Sequence, residues 1–169
     1  MGQSLPKPAL RPYLAGDASV LAEIFQASIE ELTGEDYSEA QQAAWASLAD
    51  DPEAFGSGLS QNLTLVATIS GSPVGFISLK GADTIEMLYV HPAAAGQGVG
   101  TVLCDAVEKL AAARGAKRLV TDASDTAEEF FRKRGFVPQQ RNTVPLGGEW
   151  LANTTMDKRL ATAGEGTTP

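Results

Sequence analysis

The sequence predicts an α/β fold built on a mixed sheet of about seven strands flanked by about four helices. Three observations predict it. Segments with a period near two and segments with a period near 3.6 succeed one another in the order β-α-α-β-β-β-α-β-α-β-β. An apolar run, Met87 to Val90, breaks at His91-Pro92 and passes through small residues and glycines into a helix beginning near Thr101. After that helix, Arg118-Leu119-Val120-Thr121 reads as a strand returning parallel to the first, the hallmark of a crossover connection.

In order along the chain, residues 1–8 read as a loose terminus with two prolines, and the single domain spans 9–160. Ala9 to Leu14 is a short strand that Pro12 confines to a sheet edge. Asp17 caps a helix whose Leu21, Ile24, Phe25, Ile29 and Leu32 form one apolar stripe. Ser38-Glu39-Ala40-Gln41 is a capping box opening a second helix to Ala49, with Trp45 and Leu48 turned inward. Asn62–Ile69 and Val74–Leu79 flank Ser70-Gly71-Ser72-Pro73 as a hairpin, and Thr84–Val90 follows as a third strand. The long helix from Thr101 ends at Gly115, and Ser124 or Asp125 caps a short one carrying Phe130 and Phe131. Phe136–Val144 and Glu149–Met156 close the fold as a second hairpin, and 161–169 reads as a disordered tail.

Composition removes several classes of function. The chain has 169 residues, 43% hydrophobic and 20% charged, with a formal net charge of −8. An acidic balance speaks against a nucleic-acid binder and suits a cationic small substrate. Cys104 is the one cysteine and His91 the one histidine, so neither a disulfide, a multi-cysteine metal site nor a paired-histidine zinc motif can form, and no metal is expected. No apolar run approaches a membrane span and no basic-then-apolar leader opens the sequence, so no membrane partner and a cytoplasmic location are expected.

The chemistry concentrates in Ala95-Gly96-Gln97-Gly98-Val99-Gly100-Thr101. Glycines let the main chain approach a ligand closely, and the following helix aims its free N–H groups and the positive end of its dipole into the loop. Such a loop suits a phosphate or pyrophosphate. A dinucleotide fingerprint fails, because Thr101 stands where the third glycine belongs and Pro92 lengthens the turn. A P-loop is excluded, since no Gly-Lys-Ser/Thr follows the glycines.

Val90-His91-Pro92, the loop Ala95–Gly100, the long helix and the later Gly135-Phe136 together resemble the GNAT N-acetyltransferase superfamily. Thr121–Phe136 and Asn142–Met156 are similar to a bacterial subgroup of uncharacterised small-molecule acetyltransferases. The resemblance implies acetyl-coenzyme A as co-substrate and direct attack by a small-molecule amine, and it is compatible with a homodimer. It implies that Ala95 to Thr101 hold the pyrophosphate, that the main chain of Leu88 and Val90 pairs with the pantetheine arm, and that Ser124 and Phe131 add cofactor contacts. The Leu88 N–H would also steady the oxyanion.

Two positions depart from the family pattern. Ala95 replaces an Arg or Gln in the loop, and Phe131 stands where a tyrosine commonly protonates the leaving thiolate. Tyr89 and Tyr37 are the candidates to replace it, and the departures support an alternative, a coenzyme A-binding module without turnover. For the base that deprotonates the amine, Glu86 comes first: strand alternation puts it on the face of Leu88 and Val90. Asp122, at the end of an apolar strand, comes second, and His91 reads mainly as a turn residue. Glu30, Glu31, Glu35 and Asp36, with Trp45, Trp150 and Asn153, are candidates to line the acceptor site, each also explained by solvation or packing.

Overall fold

Pro12 lacks an N–H for a second neighbour, and the strand that carries it, β1 (Ala9–Pro12), lies at one edge of the sheet. The protein is described by a computed structural model covering residues 7–161; most of the expected loose terminus and tail lies outside the described residues. From β1 the sheet continues through β2 (Leu63–Ile69), β3 (Ser72–Lys80), β4 (Thr84–Val90), β5 (Arg118–Ser124), β7 (Glu149–Arg159) and β6 (Val137–Leu146). Every neighbouring pair is antiparallel except β4 and β5. The last strand therefore inserts between β5 and β6, and β6 becomes the second edge, with Pro138 and Pro145 along it.

Helices cover both faces. On one side α1 (Ala18–Leu32), α2 (Glu39–Ala46) and α3 (Pro52–Gln61) bury Leu21, Ile24, Phe25, Ile29, Phe55 and Leu59 against Val66 and Phe76. On the other, α4 (Val99–Ala113) and α5 (Glu128–Lys133) pack Val99, Leu103, Val107 and Phe131 on Ala67, Ile77, Leu79, Leu119 and Met156. Gly75 sets the seat of α4. A Cβ there would lie 2.9 Å from Val99 Cγ1 and 3.0 Å from the Tyr89 carbonyl oxygen, so any larger residue would lift the helix start off the sheet.

The described helices number five α-helices, one more than the sequence reading. The extra one, α3, carries Asp51 as N-cap, accepting from the Glu53 and Ala54 amides, with Pro52 in its first turn. Its two glycines weaken the helical signal. One of them has a packing reason: a Cβ on Gly56 would meet Ala18 Cβ at 2.6 Å and the Tyr13 hydroxyl at 2.7 Å. The capping box of Ser38 and Gln41 forms as the sequence indicates. The helix it opens stops at Ala46, however, and a 3-10 turn over Ser47–Ala49 rotates Leu48 outward to 54% exposure, not inward as expected.

Asp17 does not cap α1 through its side chain either. Its carboxylate accepts two 2.8 Å bonds from the Arg11 guanidinium and a third from the Leu14 amide. Arg11 thereby holds the Asp17 carboxyl below the usual carboxylate range. A carboxyl depressed in the folded state contributes stability above its unfolded value, near ~4, and loses it as pH falls through the folded value. Arg11→Met should therefore lower Tm by about 2–4 °C at neutral pH, given the screening of a partly exposed pair. The gap to the parent should close as pH drops from about 4 toward 2, measured by thermal melts across that range.

Candidate active site

The parallel strands β4 and β5 pair only at Thr84↔Val120 and Ile85↔Thr121, with Val120 N–H donating to Asp83 O (2.8 Å) and Thr121 Oγ1 to Ile85 O (3.1 Å). Beyond that point each strand follows its antiparallel neighbour: β4 stays with β3 to Val90↔Gly75, and β5 stays with β7 to Ser124↔Asn153. The facing edges part into a V. His91 N–H donates to Val74 O, so alternation turns the Tyr89 and Met87 amides to β3 and those of Leu88 and Val90 to the V. The two main-chain positions that the resemblance assigns to a ligand are the unpaired ones.

The loop at the mouth of the V follows from its residues. His91 Nδ1 accepts from the Ala93 amide (3.0 Å) and Pro92–Ala94 makes a 3-10 turn, which gives the imidazole a structural occupation. Gly96 and Gly98 hold φ of +79° and +81°, conformations costly for residues with a Cβ. Within the loop, Ala95 N–H is spent on Pro92 O and Gln97 N–H on Ala94 O. Among the described residues the amides of Gly96, Gly98, Val99, Gly100 and Thr101 have no acceptor, and Val102 N–H begins the helical ladder. Gly100 is helical and serves packing: a Cβ there would press on the Phe130 ring at 3.4 Å.

Below the loop a cavity of about 190 Å³ opens between β4 and β5. Its wall includes Glu86, Leu88, Tyr89, Asp122, Ser124 and Phe131, six of the residues singled out from the sequence. Glu86 arrives by a route that alternation does not predict. Ser78 pairs with Met87 but Leu79 pairs with Ile85, leaving Glu86 as the extra residue of a β-bulge. Ile85, Leu88 and Val90 pack toward α4, while Met87 and Tyr89 pack toward α1. Glu86 lies on the α1 side with Tyr89, bonded to Asn62 Nδ2 at 2.5 Å, and does not share the face of Leu88 and Val90.

The two tyrosines separate cleanly. Tyr37 Oη donates to Ala152 O (2.6 Å) and accepts from the Asp125 amide (2.9 Å), so its proton is committed to tying β7 to the β5–α5 turn. Tyr89 Oη accepts from Trp45 Nε1 at 3.2 Å, and among the described residues its own proton has no acceptor. Burial raises the Tyr89 phenol above its ordinary value, so it is protonated at neutral pH. Asp122 lies within β5, near its end, and its Oδ1 accepts from Thr155 Oγ1 (2.6 Å), which in turn accepts from Asn142. Ser124 Oγ accepts from the Ala127 amide, and Phe131 is buried between Phe130 and Phe136. Cys104 is core; burial pushes its thiol up to about 12. Trp45 and Asn153 line the cavity, whereas Trp150 lies outside it and is 62% exposed.

A family model described as an acetyltransferase (GNAT) domain matches residues 33–160. The chain belongs to the GNAT acetyltransferase family. It is 33% identical over 147 residues to a protein of Escherichia coli strain K12 described as the uncharacterized N-acetyltransferase YafP, covering 87% of this chain and 93% of that protein. A crystal structure from Rhodopseudomonas palustris, described as "GCN5-Related N-acetyltransferase: Aminotransferase, Class-II", matches with a TM-score of 0.90 and 64% identity over 94% of this chain and 100% of that one. The PaiA N-acetyltransferase of Thermoplasma acidophilum, solved with coenzyme A, shares the fold at a TM-score of 0.73 and 19% identity, covering 90% and 99% of the two chains. In this GNAT acetyltransferase the V of β4 and β5 and the amide-rich loop occupy one side of the sheet's C-terminal end, and the carboxylates stand beside them.

Tyr37→Phe should cost about 1–3 kcal/mol of stability, because it removes one bond partner from a carbonyl and one from an amide at a largely buried point. Urea unfolding with an unchanged m-value would report it.

Proposed function

We propose that this protein transfers an acetyl group from acetyl-coenzyme A to the amine of a small molecule by direct attack in a ternary complex. One observation carries the reading: unpaired amides on β4 and at the start of α4 flank a single cavity that holds a carboxylate and a protonated phenol. The fit to the co-substrate rests on that geometry and on the coenzyme A bound to the related fold of PaiA. The amides of Gly96, Gly98, Val99, Gly100 and Thr101 would grip the pyrophosphate, helped by the dipole of the 15-residue α4. These are main-chain donors, so Ala95 in place of an Arg or Gln removes a side-chain contact and keeps the cradle. Leu88 and Val90 would extend β4 by pairing with the amide-bearing pantetheine arm, and Ser124 and Phe131 would flank it from β5 and α5.

Acetyl-coenzyme A supplies an activated acyl carbon bound to sulfur. Glu86 would take one N–H proton from the incoming ammonium, directly or through a water, since an alkylammonium with pKa near ~10 has no lone pair to attack with. The C–N bond forms, the Leu88 N–H meets the carbonyl oxygen as it becomes anionic, the now cationic nitrogen gives its extra proton to water, and the C–S bond breaks as the carbonyl re-forms. Tyr89 would donate a hydrogen bond to the departing sulfur. Full proton transfer from so weak an acid to a thiolate of pKa near ~8.5 runs uphill, so the thiolate leaves charged and is protonated by solvent. Asp122, with one oxygen held by Thr155, offers a second negative charge across the V.

Phe131 favours a second reading, a coenzyme A-binding module, because it removes the family's usual acid. Thermal stabilisation by acetyl-coenzyme A with no thiol release from any amine would select it.

Glu86→Gln should lower kcat/KM at neutral pH by about 100-fold and by much less above pH ~10, where the amine is already free. An even loss across a pH–rate profile would move the base to Asp122 or to water. Gly98→Val should weaken coenzyme A binding at least about tenfold by strain at a positive φ and by crowding the pyrophosphate seat, read by calorimetry.

A further inference from the structure

The wall of the cavity carries more information about the acceptor than the transfer chemistry uses. Two carboxylates, Glu86 and Asp122, face it, and among the described residues no lysine, arginine or histidine does. Arg141, a cation near the β5–α5 turn, is turned away in a bidentate pair with Asp125 and a bond to Thr154 Oγ1. The rest of the wall is uncharged: hydroxyls and an amide from Tyr89, Ser124 and Asn153 on the strand side, and an apolar stretch of Trp45, Leu48, Met87, Val144, Leu146 and Leu151. Leu48 and Val144 are 54% and 40% exposed at its margin, apolar surface that a ligand would cover.

The acceptor side is also roofed. The β6–β7 hairpin is seated on α2, where Gln41 Nε2 donates to Trp150 O (2.7 Å) and a Cβ on Gly147 would touch Ala44 Cβ at 3.1 Å. Tyr37 fastens the same strand one step further in, at Ala152 O. A polypeptide laid across the sheet would need that hairpin lifted; a compact molecule would not.

We propose that the acceptor is a primary amine on a compact, uncharged apolar body, an arylalkyl or branched alkyl amine with neither carboxylate nor phosphate. The inference rests on the acetyl-transfer reading of the same cavity. Its physical content is a difference in desolvation. An ammonium entering beside Glu86 and Asp122 exchanges water for opposite charge, whereas a carboxylate on the same molecule would lose water and find only like charge. An apolar body displaces water from Leu48, Val144 and Trp45, and each methylene buried in such a pocket is worth about tenfold or more in kcat/KM.

The test measures thiol release from acetyl-coenzyme A with four acceptors at one pH: 2-phenylethylamine, L-phenylalanine, ethanolamine, and a tripeptide amide beginning with phenylalanine. L-Phenylalanine adds only the carboxylate, ethanolamine removes the apolar body, and the tripeptide restores the body on a longer chain. The expected result is that 2-phenylethylamine exceeds each of the others at least about tenfold in kcat/KM. Preferred turnover of L-phenylalanine or ethanolamine would overturn the proposal and leave acetyl transfer standing, and preference for the tripeptide would overturn the compact-acceptor part.

Calorimetry of 2-phenylethylamine into coenzyme A-saturated protein separates the two readings. Heat without turnover would support the pocket's chemistry and sink the transfer reaction, and no heat with no turnover would sink both. Leu48→Lys, at an exposed position where the fold tolerates charge, should narrow the preference for 2-phenylethylamine over L-phenylalanine several-fold. An unchanged ratio would overturn the charge argument.

Discussion

Two strands that run parallel and then cease to pair impose the central constraint on this molecule. β4 and β5 share two residue pairs, and past Ile85 and Thr121 each keeps only its antiparallel neighbour. The main-chain groups exposed by that parting lie inside the protein's outline, where leaving them dry would be costly and where water or a ligand must serve them. A ligand with amide groups spaced along a chain can do so as an extra strand. The parting also hollows the space between α2, the closing hairpin and the start of α5. Without it the cavity lined by both strands would close.

The bulge at Glu86 belongs to the same design. One residue with no partner on β3 lets Ile85 and Leu88 both pack toward α4, and it turns Glu86 to the side of Met87 and Tyr89. A regular strand would have sent Glu86 and Tyr89 to opposite faces. The same site gathers polar side chains that would be awkward elsewhere. Asn62 bridges Glu86 and the buried Ser78 hydroxyl, so the carboxylate's direction is tied to the join of α3 and β2.

Much of this was legible in the sequence because local chemistry and fold agree. Glycines before a helix, a capping box at Ser38 and β-branched runs after turn residues each mean one thing. The seven strands and the glycine loop at Gly96–Gly100 that opens α4 followed from them, and Leu88, Tyr89 and Asp122 line one cavity. What stayed hidden depends on contacts made at a distance. α3 is masked by Gly56, whose missing Cβ is explained only by Ala18 and Tyr13 across the interface. The Glu86 bulge leaves no signature in a run that alternates acceptably, and the fate of Tyr37 is decided by Ala152, far along the chain. The exception among local signals is Leu48, which continues the apolar pattern of α2 and then swings out because the last turn tightens to 3-10.

The outer strand β6 carries a further consequence. It is ten residues long and lies at the rim of the sheet, the kind of open border along which foreign strands accrete. Pro138 and Pro145 remove two amide donors from it, and the slip in pairing between Pro138 and Gln140 bends it out of a flat ribbon. A chain so edged is a poor template for stacking copies of itself into fibrils, which lets the hairpin stay long enough to reach α2 without becoming a hazard at cellular concentrations.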